Sequence, residues 1–166
     1  MSVRIQPSHT YLVEVRLKPE YLDAEGGAAL ALLRAQGLTS IREVRVGRLY
    51  ELKGPVTANH AQQAARDLLG DPVTHESRMV TPGAAPLNGM NFWRVEVWLK
   101  TSVCDPVGET VREAFAEMGL PKPDGARCAM VYRLNGRSTK LQIEKAVAKS
   151  LANPLIHRVV VSEAHP

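Results

Sequence analysis

The sequence predicts an α+β protein built from two β-α-β-α-β repeats, each a three-stranded sheet with two helices, packed as an intrachain pseudo-dimer. Three observations carry this reading. Residues 10–80 register on 92–162 without a gap, at one constant offset of about 82 residues. Within each copy, period-two and helical patterns alternate in the same order. A Pro- and Gly-rich segment, Thr81-Pro82-Gly83-Ala84-Ala85-Pro86-Leu87-Asn88-Gly89, separates the copies. Residues 10–80 are thus the first repeat, 81–91 a linker, and 92–163 the second repeat. Two copies are too few for a solenoid, whereas a fused isologous dimer needs only two.

Each copy opens on strict alternation. Val13, Val15 and Leu17, and again Val95, Val97 and Leu99, point to one face, with Glu14, Arg16, Lys18 and Glu96, Trp98, Lys100 on the other. A helix follows. Asp23 and Asp105 stand where an N-cap carboxylate accepts orphan amide hydrogens, and Pro106 fills the first helical position. Gly26 and Gly108 recur one turn in. Val107, Val111, Phe115 and Met118 mark the apolar face of one helix; Ala29, Leu32 and Leu33 mark that of the other. Gly37 and Gly119 end both helices in the place of a left-handed cap.

The next strand is long, over 41–53, with Val44, Val46, Tyr50 and Leu52 matched by Cys128, Met130, Tyr132 and Leu134. Gly47 is a candidate bend in it. The second helix carries Ala61, Ala64, Ala65, Leu68 and Leu69, matched by Ile143, Ala146, Val147 and Leu151. Asp71-Pro72 and Asn153-Pro154 break it, because the residue before proline resists the α region. Short strands over Val73–Val80 and Leu155–Ser162 close each copy. An open sheet of this kind leaves one face and its edges to be covered, and the sister copy is the expected cover.

Composition narrows the function classes. A chain of 166 residues with 45% hydrophobic and 23% charged residues is ordinary for a globular protein. No apolar stretch reaches the ~18–20 residues of a membrane span, and no secretory signal is expected at the start. The net charge of +4 raises the question of nucleic acid, but Lys and Arg are scattered beside Glu and Asp and aromatic residues are few. The only two cysteines, Cys104 and Cys128, both lie in the second copy, which favours buried free thiols in a reducing cytoplasm over a structural disulfide.

Catalytic and metal sets are not evident. The five histidines show neither an i,i+4 pair nor a zinc-type cysteine spacing. His75 and His157 recur just after a proline and read as structural. Asn135-Gly136-Arg137-Ser138-Thr139-Lys140 lacks the pattern of a phosphate loop. The residues alone describe a noncatalytic twin α+β module.

The ordered string resembles the PurS family, the small subunit of phosphoribosylformylglycinamidine synthase of purine synthesis. Leu17-Lys18, Leu22-Asp23-Ala24-Glu25-Gly26, Arg45-Val46-Gly47-Arg48 and Leu68-Leu69-Gly70-Asp71-Pro72 carry the resemblance in the first copy. Leu99-Lys100, Asp105-Pro106-Val107-Gly108 and Leu151-Ala152-Asn153-Pro154 carry it in the second. The resemblance implies a cytoplasmic bridging subunit that assembles a glutaminase and an ATP-using synthetase and assists ammonia transfer to formylglycinamide ribonucleotide. It implies no catalytic residue and no cofactor in this chain; ATP, Mg and glutamine belong to the partner subunits. Neither membrane nor nucleic acid is an expected partner, and further self-association of the fused chain stays open.

The second copy departs from the pattern. Arg127-Cys128-Ala129-Met130 lacks the glycine and the second cation, and Trp98 replaces Arg16. Lys18, Arg45, Arg48, Trp98, Lys100 and Arg127 are the candidate partner contacts, with Trp98 read as either a cross-strand packing residue or a contact to a neighbour. A regulatory small-molecule-binding module and a basic nucleic-acid-binding domain are the alternative readings.

Overall fold

The computed structural model describes residues 8–81 and 92–164, so all of the expected linker except Thr81 lies outside the described residues. The elements are β1 (His9–Leu17), α1 (Ala24–Ala35), β2 (Ile41–Gly54), α2 (Ala58–Asp67), β3 (His75–Val80), β4 (Phe92–Leu99), α3 (Pro106–Glu117), β5 (Gly125–Gly136), α4 (Lys140–Ser150) and β6 (His157–Glu163). The β-α-β-α-β order therefore occurs twice. The six strands hydrogen-bond in the order β3-β1-β2-β5-β4-β6. Register repeats with the sequence. Leu17 faces His75 and Leu12 faces Val80 in the antiparallel β1–β3 pair; Leu99 faces His157 and Arg94 faces Ser162 in β4–β6.

One carboxylate fastens each first helix to its strand. Asp23 caps α1 by accepting from the Gly26 amide through Oδ1 at 2.8 Å, and its Oδ2 accepts from the Val46 amide of β2 at 2.7 Å. Asp105 does the same in the second copy, toward Gly108 at 2.9 Å and Cys128 at 2.8 Å. The capping residue is therefore also a cross-element clamp, which satisfies two backbone donors at once. Gly26 and Gly108 permit the approach: a Cβ would collide with the carbonyl oxygens of Val44 and Ala126 respectively. Gly37 and Gly119 adopt the left-handed conformation expected past the helix ends, with φ of 97° and 73°.

The compact units of the chain are not its repeats. One unit combines the described residues of Met1–Lys18, Leu49–Pro82 and Asp105–Cys128; the other combines those of Pro19–Arg48, Gly83–Cys104 and Ala129–Pro166. In the first unit, Val13, Val15, Tyr50, Leu52 and Ala64 share a core with Val111, Phe115 and Ala126. In the second, Ala29, Leu33, Val44 and Val46 share one with Val95, Tyr132, Leu134, Ile143 and Val147. The cause is strand length. β2 has 14 residues, about 46 Å at ~3.3 Å per residue, so its two halves lie in different units. The clamp holds α1 to the first half of β2, and α1 therefore joins elements of the second repeat. By the same logic α3, held to the first half of β5, joins elements of the first.

Several sequence expectations shift in detail. The buried faces of α1 and α3 run through Gly26, Ala29, Leu33 and Gly108, Val111, Phe115, while Leu32 and Val107 are exposed, because the close approach at the glycines turns each helix. The closing strands begin at His75 and His157, two residues later than predicted. Asp71 Oδ1 accepts from the Val73 amide and His75 Nδ1 from the Asp71 amide, closing a turn; Asn153 and His157 repeat it. That is the structural role of the two recurring histidines. Both cysteines are free as expected, but Cys104 is exposed rather than buried, in the loop before the N-cap where the first copy has the exposed Leu22.

Replacing Asp23 or Asp105 with Ala removes a cap and a buried strand contact together. The expected loss is about 2–3 kcal/mol for each, read from urea unfolding midpoints. Asp23→Asn should cost nearly as much, since an amide nitrogen turned toward the Val46 N–H places donor against donor; a cost below about 1 kcal/mol would contradict the clamp.

Candidate functional site

The candidate contact residues fall around these clamps and at the ends of the opening strands. In the second unit, Arg45 follows Val44 on β2, donates from Nη1 to the Tyr21 carbonyl at 3.0 Å, and stands 4.0 Å from Asp23 Oδ2. Arg48 lies three residues further along β2 and forks onto Glu25, with Nη2 to Oε1 at 3.2 Å and Nη1 to Oε2 at 3.4 Å. Its side chain keeps 43% of its surface exposed while Glu25 orients it. Tyr132 completes the group. Burial pushes its phenol above the usual tyrosine range, the Glu25 carboxylate pushes the same way, and the Arg48 guanidinium works in the opposite direction.

The matching positions of the second repeat are chemically different. Asp105 and Arg127 recur, but the positions that match Glu25 and Arg48 are Val107 and Met130. The charged Glu25–Arg48 pair of the first repeat is thus replaced in the second by two apolar residues, Val107 in the first unit and Met130 in the second. Polar contacts there move one turn along α3, where Arg112 pairs with Glu109 at 2.9 Å and donates from Nε to the Pro123 carbonyl.

Lys18 and Lys100 continue the opening strands, and their amides donate to Thr74 and Ile156 carbonyls at 2.9 and 2.8 Å. Lys18 also ties its ammonium to the Pro72 carbonyl at 3.2 Å, whereas Lys100 is exposed. Trp98 is 4% exposed. Its indole donates to Glu96 Oε1 at 3.0 Å, Arg158 lies over the ring at 5.9 Å, and Ala129 is its cross-strand partner. This placement makes it a packing residue of its own unit. The structure sets Arg45 beside the Asp23 cap and Arg48 on Glu25 in the first turn of the same helix, and leaves Lys18, Lys100 and Arg127 on separate elements.

Sequence reasoning passed over Glu14. It sits on the polar face of β1 yet is only 1% exposed, and it accepts from Arg78 Nε at 2.7 Å across the β1–β3 pair. Its recurrence as Glu96 at the matching position of the second copy was the available signal. Among the described residues no three His, Cys, Asp or Glu side chains gather to hold a metal, and no helix is long and apolar enough to cross a membrane.

Comparison with known families gives one result. The family model described as PurS, phosphoribosylformylglycinamidine (FGAM) synthase, matches residues 10–81 and again 93–164. No curated protein matches the chain significantly.

Two measurements check this geometry. Arg78→Ala should destabilise by about 1–3 kcal/mol because it takes a partner from a buried carboxylate, while Arg48→Ala should cost under about 1 kcal/mol. A raised tyrosine pKa stabilises the fold fully below the unfolded value near ~10 and loses that contribution as pH climbs toward the folded value. The stability difference between the native chain and Tyr132→Phe should therefore be flat below pH ~10 and move against the native chain above it; a flat difference throughout would contradict the raised phenol.

Proposed function

The chain belongs to the PurS family of FGAM synthase, and from that premise we propose that it is the noncatalytic bridge of that complex. Its place in FGAM synthase, and so in purine biosynthesis, comes with the family. The finer reading is that it assembles a glutaminase subunit and an ATP-dependent synthetase subunit in the cytoplasm. Ammonia released from glutamine then reaches formylglycinamide ribonucleotide by a route closed to bulk water. Such a route has a chemical reason: ammonia in bulk water is protonated, loses its nucleophilic lone pair and diffuses away, whereas a dry passage keeps it reactive. Glutamine, ATP and Mg are used by the partner subunits, and this chain contributes surface and positioning.

The observation that supports the bridge most is the double family match within one chain. A covalent pair presents two related but unlike faces. Arg45 and Arg48 give the first repeat a charged contact, Arg127 and Met130 give the second a greasier one, and Lys18 and Lys100 lie beside the closing turns. A bridge between two different subunits needs this kind of difference, since identical faces would not distinguish the partners.

Reconstitution with the two partner subunits tests the reading. Glutamine-dependent FGAM formation should fall to background when this chain is omitted and return when an ammonium salt replaces glutamine at alkaline pH. Undiminished glutamine-dependent synthesis without the chain would end the proposal. Arg48→Ala and Met130→Ala should weaken assembly with different subunits, and equal effects on both would contradict the division of labour.

A further inference from the structure

A cavity in the second unit has the composition of an anion site. It measures about 520 Å³ and is lined by Thr39, Ser40, Arg42, Asn135, Gly136 and Arg137. Thr39 and Ser40 before β2 supply the two hydroxyls and Arg42 at the start of β2 one guanidinium; the end of β5 and the residue after it supply the amide and the other guanidinium. No carboxylate is among the lining residues. Among the described residues neither Arg42 nor Arg137 makes an ion pair or a side-chain hydrogen bond, unlike Arg16, Arg34, Arg45, Arg48, Arg78 and Arg112. The nearby α4 N-terminus is closed by its own Thr139–Gln142 capping box and is not needed for the argument.

The internal repeat provides a control. At the matching positions of the first unit, Arg42 is replaced by Asp124 and Arg137 by Pro55, while Ser40 and Asn135 are replaced by Lys122 and Lys53. Those two lysines are already neutralised, by Glu113 at 2.6 Å and Glu51 at 3.5 Å. The shared backbone plan therefore does not require the two arginines, since the sister unit forms the same elements without them. A second cavity of about 240 Å³ in the same unit is lined by Lys145 and Lys149 with Gln36–Leu38, and the residues matching the two lysines are Gln63 and Asp67. Among the described residues, Arg42, Arg137, Lys145 and Lys149 line cavities of the second unit, where the matching positions of the other repeat hold Asp124, Pro55, Gln63 and Asp67.

We propose that the Arg42–Arg137 cavity binds the phosphate monoester group of a small phosphorylated metabolite. Guanidinium pairs match the bidentate geometry of a phosphate dianion, and the hydroxyls and amide supply neutral donors for the rest of its oxygens. The volume falls in the range of small-molecule sites and exceeds what a bare inorganic ion needs. The site stands apart from the bridging role and needs no partner subunit to be observed.

Titration of the full chain at low salt with ribose 5-phosphate tests this, by calorimetry and by amide chemical shifts. Saturable binding should shift residues 39–42 and 135–137, and the Arg42→Gln/Arg137→Gln double variant should bind about tenfold more weakly or less. Both arginines are exposed, so the variant should keep its melting temperature. Lys53→Gln/Lys122→Gln, the matching change in the other unit, should bind like the native chain. The proposal is overturned if ribose binds as well as its phosphate, or if the arginine variant binds unchanged. It is equally overturned if the lysine variant weakens as much, or if a glutamate-rich peptide binds through the two arginines while ribose 5-phosphate does not. The last result would make the cavity a protein-docking surface instead.

Discussion

Two aspartate carboxylates set the plan of this molecule. Each has two oxygens, and each oxygen takes a different backbone donor, one at a helix start and one on a strand some twenty residues later in the chain. A cap alone would fix where a helix begins but not what it lies against. The second hydrogen bond fixes the helix to the first half of a strand too long for one small core. Because β2 and β5 each run through both compact units, a helix held to the start of either strand is delivered away from the opening strand of its own repeat. The cores that result mix Phe115 of the second repeat with Val13 and Leu52 of the first, and Leu33 of the first with Val95 and Ile143 of the second.

This arrangement gives duplication a physical role. A repeat of about 70 residues buries too little apolar surface to be comfortably stable alone. When each core draws on both repeats, joining them in one chain converts an association between separate subunits into an intramolecular one. Fusion also releases the copies from identity. Positions that the fold depends on stay matched: Asp23 with Asp105, Gly26 with Gly108, Gly37 with Gly119, Pro72 with Pro154, His75 with His157. Exposed positions have diverged, at Glu25 and Val107 and at Arg42 and Asp124, and so has the part-buried pair of positions Arg48 and Met130. Membership of the PurS family places the chain in FGAM synthase, and the diverged positions are where its two copies can do different work.

Much of this was legible from residue patterns. Alternation gave β1 and β4, the Asp and Gly signals gave both ends of α1 and α3, and the constant offset gave the order of elements twice over. These features are local, and each depends on a few neighbouring residues. What escaped depends on contacts distant in sequence. Nothing in Asp23 announces that its second oxygen meets Val46. Leu32 and Val107 satisfy helical periodicity, but glycine contacts elsewhere on the helix decide which face is buried. Glu14 looks solvated on an alternating strand until Arg78 and the neighbouring strands enclose it, and Trp98 looks like a surface contact until Glu96 and Arg158 occupy it. The exchange of helices between repeats is invisible to a scheme that assigns each repeat its own core.

The central claim is that each core is built from both repeats, and hydrogen exchange in the full chain under native conditions tests it most directly. Phe115→Ala should cost about 3–5 kcal/mol. Protection should fall not only in α3 but in β1 and α2 of the first repeat, while α4 and β6, although in the same repeat as Phe115, keep theirs. Loss of protection confined to residues 92–164, with β1 and α2 unchanged, would contradict the account.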